Sequence, residues 1–456
     1  MELRRYKDIL ATRTPSGEII GFHARNLEIA ELDDSVWNAL ADEHSLKKTG
    51  EISRELEAWH NEISPDTTDQ QPHTGIRALL LNIAQICNLN CTYCAAVDSD
   101  GNRDSAGTYG SKITKIDTKV AEEQIRHFIA KVPDGESFEI EFCGGEPLLY
   151  PQVIASLCRY ARLMVSGRNV DIQFAINTNG TLISPQAADI LAANKFHVTI
   201  SLDGDPSVND VTRPTRAMKA GHSSTEQTLK GLKNLNRVRE KLGSLNVNCV
   251  FGSHNWHVER AYDFLASLEL NWDRYNFNFA NNAEPEKAAH YTDLYLDELK
   301  KTADKVFRLE GLTGLAKIKQ FRRPLARLAS QTRQHNYCGA GKTLIQSDTR
   351  ADLYVCNWFM NDPAEKVGHK TEISEASLKH YDASLITLNR CETCWARHLC
   401  GGGCMAVHKS YSGDRHSKDP HFCRRTREIA AEAIWYFKQS LDGQETNMNL
   451  LERSPK

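Results

Sequence analysis

Long apolar runs and an excess of charge of one sign are both missing from this chain of 456 residues. No stretch approaches the roughly 20 apolar residues that a membrane-spanning helix needs, and the start MELRRYKDIL lacks the apolar core of a signal peptide. With 56 basic and 59 acidic residues the net charge is −3, which disfavours proteins that bind nucleic acid or membrane surfaces through a basic face. We therefore expect a cytoplasmic protein with no nucleic acid and no membrane among its partners.

Cysteine, by contrast, is abundant, with 13 residues. Disulfides are rare in the reducing cytoplasm, and ten of the cysteines stand in two groups with short gaps, which favours metal or cluster ligation. The other three, Cys143, Cys158 and Cys249, lie in strand or helix patterns. We interpret them as buried apolar side chains.

Strand and helix patterns alternate from about residue 76 to 285. The strand-like segments are 78–86, 138–143, 171–177, 197–202, 245–251 and 275–280. Six βα-type units in order predict a parallel sheet with right-handed crossovers. Six strands are too few to close an eight-stranded barrel. We therefore expect an α/β fold built on a partial (β/α)6 TIM-like barrel, with its site at the C-terminal ends of the strands.

Four further segments flank this region. Residues 1–75 are expected to form a small N-terminal α+β domain, in which Asp34 caps a first helix, a second helix covers about 51–63, and 64–74 is a polar linker. Residues 286–334 are predicted to be a helical bridge. Residues 335–425 are rich in cysteine and have little periodicity, and residues 426–456 hold a last helix and the tail.

The first cysteine group is Cys87-Asn-Leu-Asn-Cys91-Thr-Tyr-Cys94, directly after the first strand of the series. Three thiolates on one loop can hold three irons of a cubane cluster, which normally uses four cysteines. An open coordination position marks a catalytic rather than a structural site. On spacing alone, a zinc site or a chance group of buried cysteines is the alternative.

C-x₃-C-x₂-C with an aromatic residue, Tyr93, before the third cysteine resembles the signature of the radical S-adenosylmethionine (SAM) superfamily. The resemblance implies that the open iron chelates the amine and carboxylate of SAM. Reduction of the cluster then cleaves SAM to a 5′-deoxyadenosyl radical that takes a hydrogen atom from the substrate. Cys87, Cys91 and Cys94 would be the catalytic cluster ligands, and Tyr93 would lie beside the cofactor.

Three further motifs at strand ends are similar to parts of the same family. Gly144-Gly145-Glu146-Pro147 resembles its GGEP motif, which implies that Glu146 meets the SAM amine, while glycines let the backbone approach a ligand closely. Asn179 stands in a segment similar to the one near the SAM ribose. Ser201 and Arg213 are implied candidates for the SAM carboxylate, which an arginine fork fits. A surface salt bridge is the alternative for Arg213.

The second cysteine group resembles the SPASM extension of radical SAM enzymes that modify peptides and proteins, with zinc as the alternative. The resemblance implies two auxiliary [4Fe-4S] clusters beside the SAM-binding one, three in all. Their ligands would be, for one cluster, Cys391, Cys394, Cys400 and Cys423 and, for the other, Cys338, Cys356 and Cys404. Some relatives have an eighth cysteine shortly after the first, but residues 339–344 contain none. We therefore expect an open iron or a non-cysteine ligand there. Ala351 replaces a glycine of the family pattern.

The resemblance implies a maturase for a ribosomally synthesised (RiPP) precursor peptide. It would install a radical cross-link (a C–C cyclophane, thioether or ether bond) and take electrons from a donor such as a flavodoxin or ferredoxin. Residues 1–75 are then expected either to bind a leader peptide as an added strand or to cap the barrel. The segment Gly107-Thr-Tyr-Gly110 resembles a G-x-Y-G of several peptide maturases.

Three alternatives stay open. An anaerobic sulfatase-type maturase would make formylglycine, but such enzymes place an aspartate base after the second SPASM cysteine, and here Asn357 cannot accept a proton at neutral pH. A maturase that cross-links a quinoprotein subunit is the second. A non-catalytic iron–sulfur electron-transfer protein is the third, and the GGEP-like motif disfavours it.

Overall fold

The alternation of strands and helices is borne out in a computed structural model, which describes residues 2–14, 17–65, 67–69, 75–96, 115–216, 222–280, 285–360 and 362–442. The chain forms two compact units. The cysteine-rich unit contains residues 1–72, 299–338 and 383–456, and the sheet unit contains residues 73–298 and 339–382. The five-segment division predicted above stays a prediction. Gly107–Gly110 and part of the linker at 64–74 lie outside the described residues.

The described strands follow in chain order. They are β1 (Glu2–Tyr6), β2 (Ile9–Arg13), β3 (Ile19–His23), β4 (Glu28–Leu32), β5 (Thr68–Asp69), β6 (Ala78–Ala84), β7 (Ser137–Gly144), β8 (Asp171–Thr178), β9 (His197–Ser201), β10 (Ser244–Phe251), β11 (Arg274–Phe279), β12 (Thr332–Arg333), β13 (Leu344–Ser347), β14 (Asp352–Tyr354), β15 (Lys366–His369) and β16 (Glu372–Ile373).

The described α-helices are numbered in the same way. They are α1 (Asp34–Ala39), α2 (Glu43–Lys48), α3 (Gly50–Asn61), α4 (Thr118–Ile129), α5 (Pro151–Met164), α6 (Pro185–Ala193), α7 (Pro206–Thr212), α8 (Ser224–Asn236), α9 (Val258–Ser267), α10 (Pro285–Leu315), α11 (Lys319–Ser330), α12 (Glu375–Leu378), α13 (Leu385–Leu388), α14 (Arg397–Cys400), α15 (Met405–Ser412) and α16 (Pro420–Asp442). None of these helices is both long enough and apolar enough to cross a membrane.

The sheet unit is built on one sheet with the order β11-β10-β9-β8-β7-β6-β13-β14-β15-β16. All neighbours from β11 to β6 are parallel, which confirms the six strands predicted in sequence order. Phe142 and Phe174 stack with ring centroids 6.3 Å apart, and Phe196 packs on both. This buried aromatic cluster belongs to the apolar face of the parallel strands, whose C-terminal ends carry the predicted site.

Four strands of this sheet were missed by the sequence analysis. β13 runs parallel to β6, and β14, β15 and β16 follow as antiparallel strands. They are only 4, 3, 4 and 2 residues long. Strands this short cannot display the alternation of apolar and polar residues by which strands are recognised.

In the cysteine-rich unit, β1 to β4 form an antiparallel sheet whose core includes Ile9, Trp37 and Leu56. The prediction that Asp34 caps α1 is wrong by one residue. The Asp33 side chain accepts from the backbone N–H groups of residues 35 and 36, so Asp34 is already helical. The linker also contains β5, which pairs with β12.

Helices complete the cysteine-rich unit, in which α11 packs against α16 and α14. α10 is interrupted at Gly311, whose φ of 64° is non-helical. α16 begins at Pro420, earlier than the last helix predicted within 426–456, and proline is well suited to the first turn of a helix. Cys423 therefore lies at the start of this helix.

Candidate active site

The loop that carries Cys87, Cys91 and Cys94 follows β6 and is held by the segment after α7. The backbone N–H of Asn90 donates to the Pro214 carbonyl at 2.8 Å, and that of Thr92 donates to the Thr212 carbonyl at 2.8 Å. Arg216 Nε donates to the Cys87 carbonyl at 3.0 Å. These contacts pair the cysteine loop with residues 212–216, far along the sequence. No local pattern could have predicted this pairing.

The three cysteines of this loop form no disulfide, and their side chains are half-buried. Burial, with smaller contributions from the neighbouring Glu146, Cys91 and Cys94, raises the pKa of Cys87 to about 12. Burial likewise raises the pKa of Cys91 to about 11. Three clustered thiols without a disulfide fit an iron–sulfur cluster, because its irons stabilise the thiolate form. In the described part of the chain, no three Cys, His, Asp or Glu side chains are placed to hold a single metal ion.

Gly144 and Gly145 pack directly against the backbone that leads into the cysteine loop. The Gly145 N–H donates to the Ala84 carbonyl at 2.6 Å, and the Glu146 N–H donates to the Ile86 carbonyl at 2.9 Å. A Cβ on Gly144 would lie 2.2 Å from the Ala84 oxygen, and one on Gly145 would lie 2.1 Å from the Ile86 oxygen. The contact that demands these glycines is thus with the chain itself, whereas the sequence analysis attributed them to a ligand.

Glu146 is fully buried at this junction, and Pro147 beside it opens a short 3₁₀ turn, Pro147–Leu149. The Glu146 carboxylate accepts hydrogen bonds from the Thr178 hydroxyl at 2.7 Å and from the backbone N–H groups of Asn179 at 2.8 Å and Leu148 at 3.0 Å. Burial raises the pKa of Glu146 to about 7, although these hydrogen bonds favour the ionised form. The carboxylate is held in place, and an ammonium group beside it would lower that pKa.

Asn179 connects the end of β8 to the cysteine loop. Its Nδ2 donates to Asn88 Oδ1 at 2.9 Å and lies 3.9 Å from Cys87 Sγ. Its Oδ1 accepts from the Thr181 hydroxyl at 2.6 Å. The predicted cofactor residue Asn179 is therefore brought next to a predicted cluster ligand.

Asp203, two residues after the predicted Ser201, is the centre of a buried network that the sequence analysis missed. It accepts from the Tyr93 hydroxyl at 2.6 Å, the Thr212 hydroxyl at 2.8 Å, Arg213 at 3.0 Å and the Val250 N–H at 2.9 Å. The sequence analysis selected Ser201 but not the aspartate two residues after it. Its position just after a predicted parallel strand could have identified Asp203, because the sites of such sheets lie at the C-terminal ends of the strands.

Arg213 is buried, with its ion pair to the fully buried Asp203 at 3.0 Å, so the surface salt bridge considered above is wrong. Its Nε is buried and has no hydrogen-bond partner among the described residues. The guanidinium carbon lies 5.3 Å from the centre of the Tyr93 ring, which also stacks on His254 at 4.5 Å. Arg213 and Tyr93 thus share one site, and Arg213 keeps a donor available for a further acceptor.

In the cysteine-rich unit, four cysteines influence one another electrostatically. Burial, with smaller contributions from Cys394, Cys423 and Cys391, raises the pKa of Cys400 to about 12. Three glycines follow it, Gly401, Gly402 and Gly403, with φ values of 81°, 92° and 86°. Such left-handed backbone favours glycine, and it turns the chain sharply between Cys400 and Cys404.

The remaining predicted ligands divide between the two units. Cys404 and Cys338 lie in the cysteine-rich unit, and the pKa of Cys404 is raised by burial and by Cys338. Cys356 lies in the sheet unit, and its thiol donates to Asn357 Oδ1 at 3.4 Å. Cys143, Cys158 and Cys249 are buried, as predicted.

The N-terminal sheet is joined to the second cysteine group within one unit. Asp8, in the turn after β1, accepts from Arg397 at 2.7 Å and from Arg25 at 3.1 Å. Burial raises the pKa of Asp8, but the two arginines lower it to about 2. Arg397 also donates to the Cys394 carbonyl at 3.1 Å. Residues 1–75 therefore support the loop that bears Cys394, a role that sequence patterns did not indicate.

Residues 81–265 match the model of the Radical SAM superfamily. An uncharacterized protein of Methanocaldococcus jannaschii is 35% identical over 158 residues, which cover 35% of this chain and 48% of that protein, about half of its length. A cysteine-type anaerobic sulfatase-maturating enzyme of Clostridium novyi is 26% identical over 362 residues, which cover 75% of this chain and 88% of the enzyme.

Two solved structures are similar in fold. The structure of anSMEcpe with bound AdoMet has a TM-score of 0.65 and 20% identity, covering 82% of this chain and 98% of that one. The structure of Streptococcus suis SuiB bound to precursor peptide SuiA has a TM-score of 0.51 and 16% identity, covering 92% and 100%. These likenesses confirm the predicted fold class.

Proposed function

We propose, on the premise that this chain carries a radical SAM domain at residues 81–265, that it is a maturase which installs a cross-link in a ribosomally synthesised precursor peptide. That match supports the family and the assignment as an enzyme, both of which were predicted from the cysteine motif. The peptide substrate and the cross-link are our proposal. SuiB, whose fold this chain resembles over 92% of its length, was solved with a precursor peptide.

One observation carries the proposal. Within the cysteine-rich unit, Cys391, Cys394 and Cys423 lie close enough to Cys400 to raise the pKa of its thiol, and Cys338 does the same to Cys404. This grouping supports two auxiliary [4Fe-4S] clusters besides the one at Cys87, Cys91 and Cys94. With no cysteine in residues 339–344, the cluster at Cys338, Cys356 and Cys404 would keep an iron open to substrate. The compartment we propose is the cytoplasm, where thiols stay reduced and a flavodoxin or ferredoxin supplies electrons.

The side chains at the strand ends have distinct tasks in this proposal. Glu146 pairs its buried carboxylate with the ammonium of SAM, and Arg213, with Ser201, holds its carboxylate. Tyr93 lies beside the cofactor, its ring fixed between His254 and Arg213. When bound, the cluster at Cys87, Cys91 and Cys94 supplies the electron that cleaves SAM to a 5′-deoxyadenosyl radical.

An anaerobic sulfatase-type maturase is the second candidate. The observation in its favour is the 26% identity to the Clostridium novyi enzyme over 75% of this chain. Against it, Asn357 stands where such enzymes are expected to have a carboxylate base. Its Oδ1 accepts a hydrogen bond from the Cys356 thiol at 3.4 Å, but a neutral amide cannot take up the proton that such a base removes.

The test is the iron and sulfide content of anaerobically reconstituted protein, together with 5′-deoxyadenosine release under dithionite. We expect about 12 irons, four for each of three clusters. Cys91→Ala should lose about four irons and all SAM cleavage. Cys394→Ala should lose a similar amount of iron and form no product, yet keep some SAM cleavage. Cys158→Ala, in the core of α5, is the matched control and should keep all the iron.

Release of 5′-deoxyadenosine by Cys91→Ala, or bound zinc in place of iron, would overturn the proposal. Incubation with peptides from short open reading frames beside the gene then identifies the product by mass. A peptide lighter by the two hydrogens that a new bond displaces supports the cross-link. Formylglycine in a cysteine-containing sulfatase peptide supports the second candidate instead, and cluster content without SAM cleavage supports an electron-transfer protein.

A further inference from the structure

The helix α11 packs beside the second cysteine group and carries two arginines on one side. It contacts α14, which ends at Cys400, and α16, which carries Cys423 in its first turn. Arg323 and Arg327 are both half-buried and stand four residues apart, so their like charges repel each other on the same helix face. In the described part of the chain neither arginine pairs with a carboxylate, although Arg327 donates to the Gln334 amide oxygen at 3.2 Å. A negative group beside this pair would relieve the repulsion.

Arg323 lies over the ring of Tyr337, the residue before Cys338. Its guanidinium carbon is 4.8 Å from the ring centre, which is a favourable cation–π distance. The same ring packs edge-to-face on Phe422, the residue before Cys423, with centroids 5.7 Å apart. One aromatic ring therefore holds Arg323 beside the chain segments that supply a predicted ligand to each auxiliary cluster.

The segment between Cys400 and Cys404 meets the same tyrosine and the same arginine. A Cβ on Gly401 would lie 2.8 Å from the Tyr337 backbone nitrogen, so these two segments touch. Burial raises the pKa of Cys404 and Cys338 adds to that rise, whereas Arg323 opposes it. The charge of Arg323 thus favours negative charge on a predicted cluster ligand.

We propose that Arg323 is the counter-charge of the auxiliary cluster at Cys338 and Cys404 and raises the reduction potential of that cluster. A [4Fe-4S] cluster becomes more negative by one charge when it is reduced, and nearby charge is among the factors that set its potential. A cation beside it favours the reduced form by Coulomb attraction. Tyr337 acts through Arg323, as a positioning residue. The inference rests on the proposed function and names a residue that controls electron flow at the same cluster.

The test is a redox titration of full-length reconstituted protein, followed by electron paramagnetic resonance (EPR) of the reduced clusters. We expect three EPR signals in wild type. Cys91→Ala and Cys394→Ala each remove one of the other two clusters, so the signal that both variants retain belongs to the cluster at Cys338 and Cys404. This readout requires neither SAM cleavage nor a peptide substrate.

Arg323→Gln removes the charge and should make this cluster harder to reduce. At a fixed potential its ratio of reduced to oxidised form should fall about 3- to 10-fold, which is a shift of about 30–60 mV to lower potential for one electron. Arg323→Lys keeps the charge and should titrate as wild type does. Arg308→Gln, on the exposed side of α10, removes one charge elsewhere in the cysteine-rich unit and is the matched control.

An unchanged potential in Arg323→Gln, or a shift as large in Arg323→Lys or Arg308→Gln, would overturn the inference. If Arg323→Gln loads about four fewer irons, the lysine variant decides, because it restores the charge without the shape of arginine. Full iron in Arg323→Lys then supports the inference, and an equal loss overturns it. Wild type that holds three clusters and cleaves SAM, with no shift in Arg323→Gln, contradicts this inference alone. The expected shift in a protein that does not cleave SAM contradicts the proposed function alone.

Discussion

The Tyr93 hydroxyl donates a 2.6 Å hydrogen bond to Asp203 Oδ2. Tyr93 stands on the cysteine loop and Asp203 just after β9, so this bond joins the predicted cluster loop to the end of the fourth parallel strand. The same carboxylate neutralises the buried Arg213. Asp203 therefore acts on the candidate site through Tyr93 and Arg213, as a positioning residue.

Asp203→Asn should destabilise the apo protein strongly. The substitution leaves the buried Arg213 without its counter-charge, which costs about 3 kcal/mol or more. Tyr93→Phe removes only a hydrogen bond and should cost about 1 kcal/mol. Urea unfolding of the apo protein measures both. Asp134→Asn is the control, because Asp134 pairs with Arg168 at the surface and exposes 61% of its side chain. An Asp203→Asn variant as stable as that control would refute the prediction.

Gly145→Ala should displace the cysteine loop. The added Cβ would lie 2.1 Å from the Ile86 carbonyl oxygen, which is backbone and can move only with the loop. Such overpacking costs about 1–3 kcal/mol. We expect less bound iron and little SAM cleavage. Gly50→Ala meets no atom within 4 Å and is the matched control. Full iron content in Gly145→Ala would show that the loop tolerates the shift.

The stability of the apo protein should fall with rising pH because of Glu146. Burial raises its pKa from 4.5 to about 7 in the folded state. A carboxyl with a raised folded pKa stabilises the fold fully below about pH 4.5, and the contribution is lost as the pH rises through about 7. A shift of this size corresponds to about 3 kcal/mol. The unfolding free energy of wild type minus that of Glu146→Gln, measured from pH 4.5 to 8, should decline. A flat difference would contradict the assignment.

Ala351→Gly should stabilise the protein. Ala351 ends the turn between β13 and β14 with a φ of 67°, in the left-handed region that a side chain disfavours. Relief of that strain stabilises the folded protein by about 1–2 kcal/mol. Glycine loses more conformational entropy on folding, which destabilises the protein by about 0.5–1 kcal/mol. Thermal unfolding should therefore show a small gain. Ala266→Gly, on the exposed face of α9, is the control and should lose up to about 1 kcal/mol. A loss at both positions would rule out strain at Ala351.

The sequence by itself predicted the match to the Radical SAM superfamily model, the number and order of the parallel strands and the motifs on which the proposed site depends. Each of these depends on residues close together in the chain: the spacing of Cys87, Cys91 and Cys94, the length of an apolar run, or a GGEP-like turn after a strand. Such local patterns can be recognised in the sequence alone because residues that are close in the chain stay close in the strand or loop that they form. The burial of Cys158 and Cys249 was predicted in the same way.

Only the tertiary structure decided which distant residues support the site. Asp203 reaches Tyr93 across 110 residues, Arg397 reaches Asp8 across 389, and Gly145 touches the chain before Cys87. The short strands β13 to β16 extend the sheet through pairing partners that no window of sequence contains. Hydrogen bonds and close backbone contacts between remote segments depend on the folded geometry, and single-sequence patterns carry no record of it.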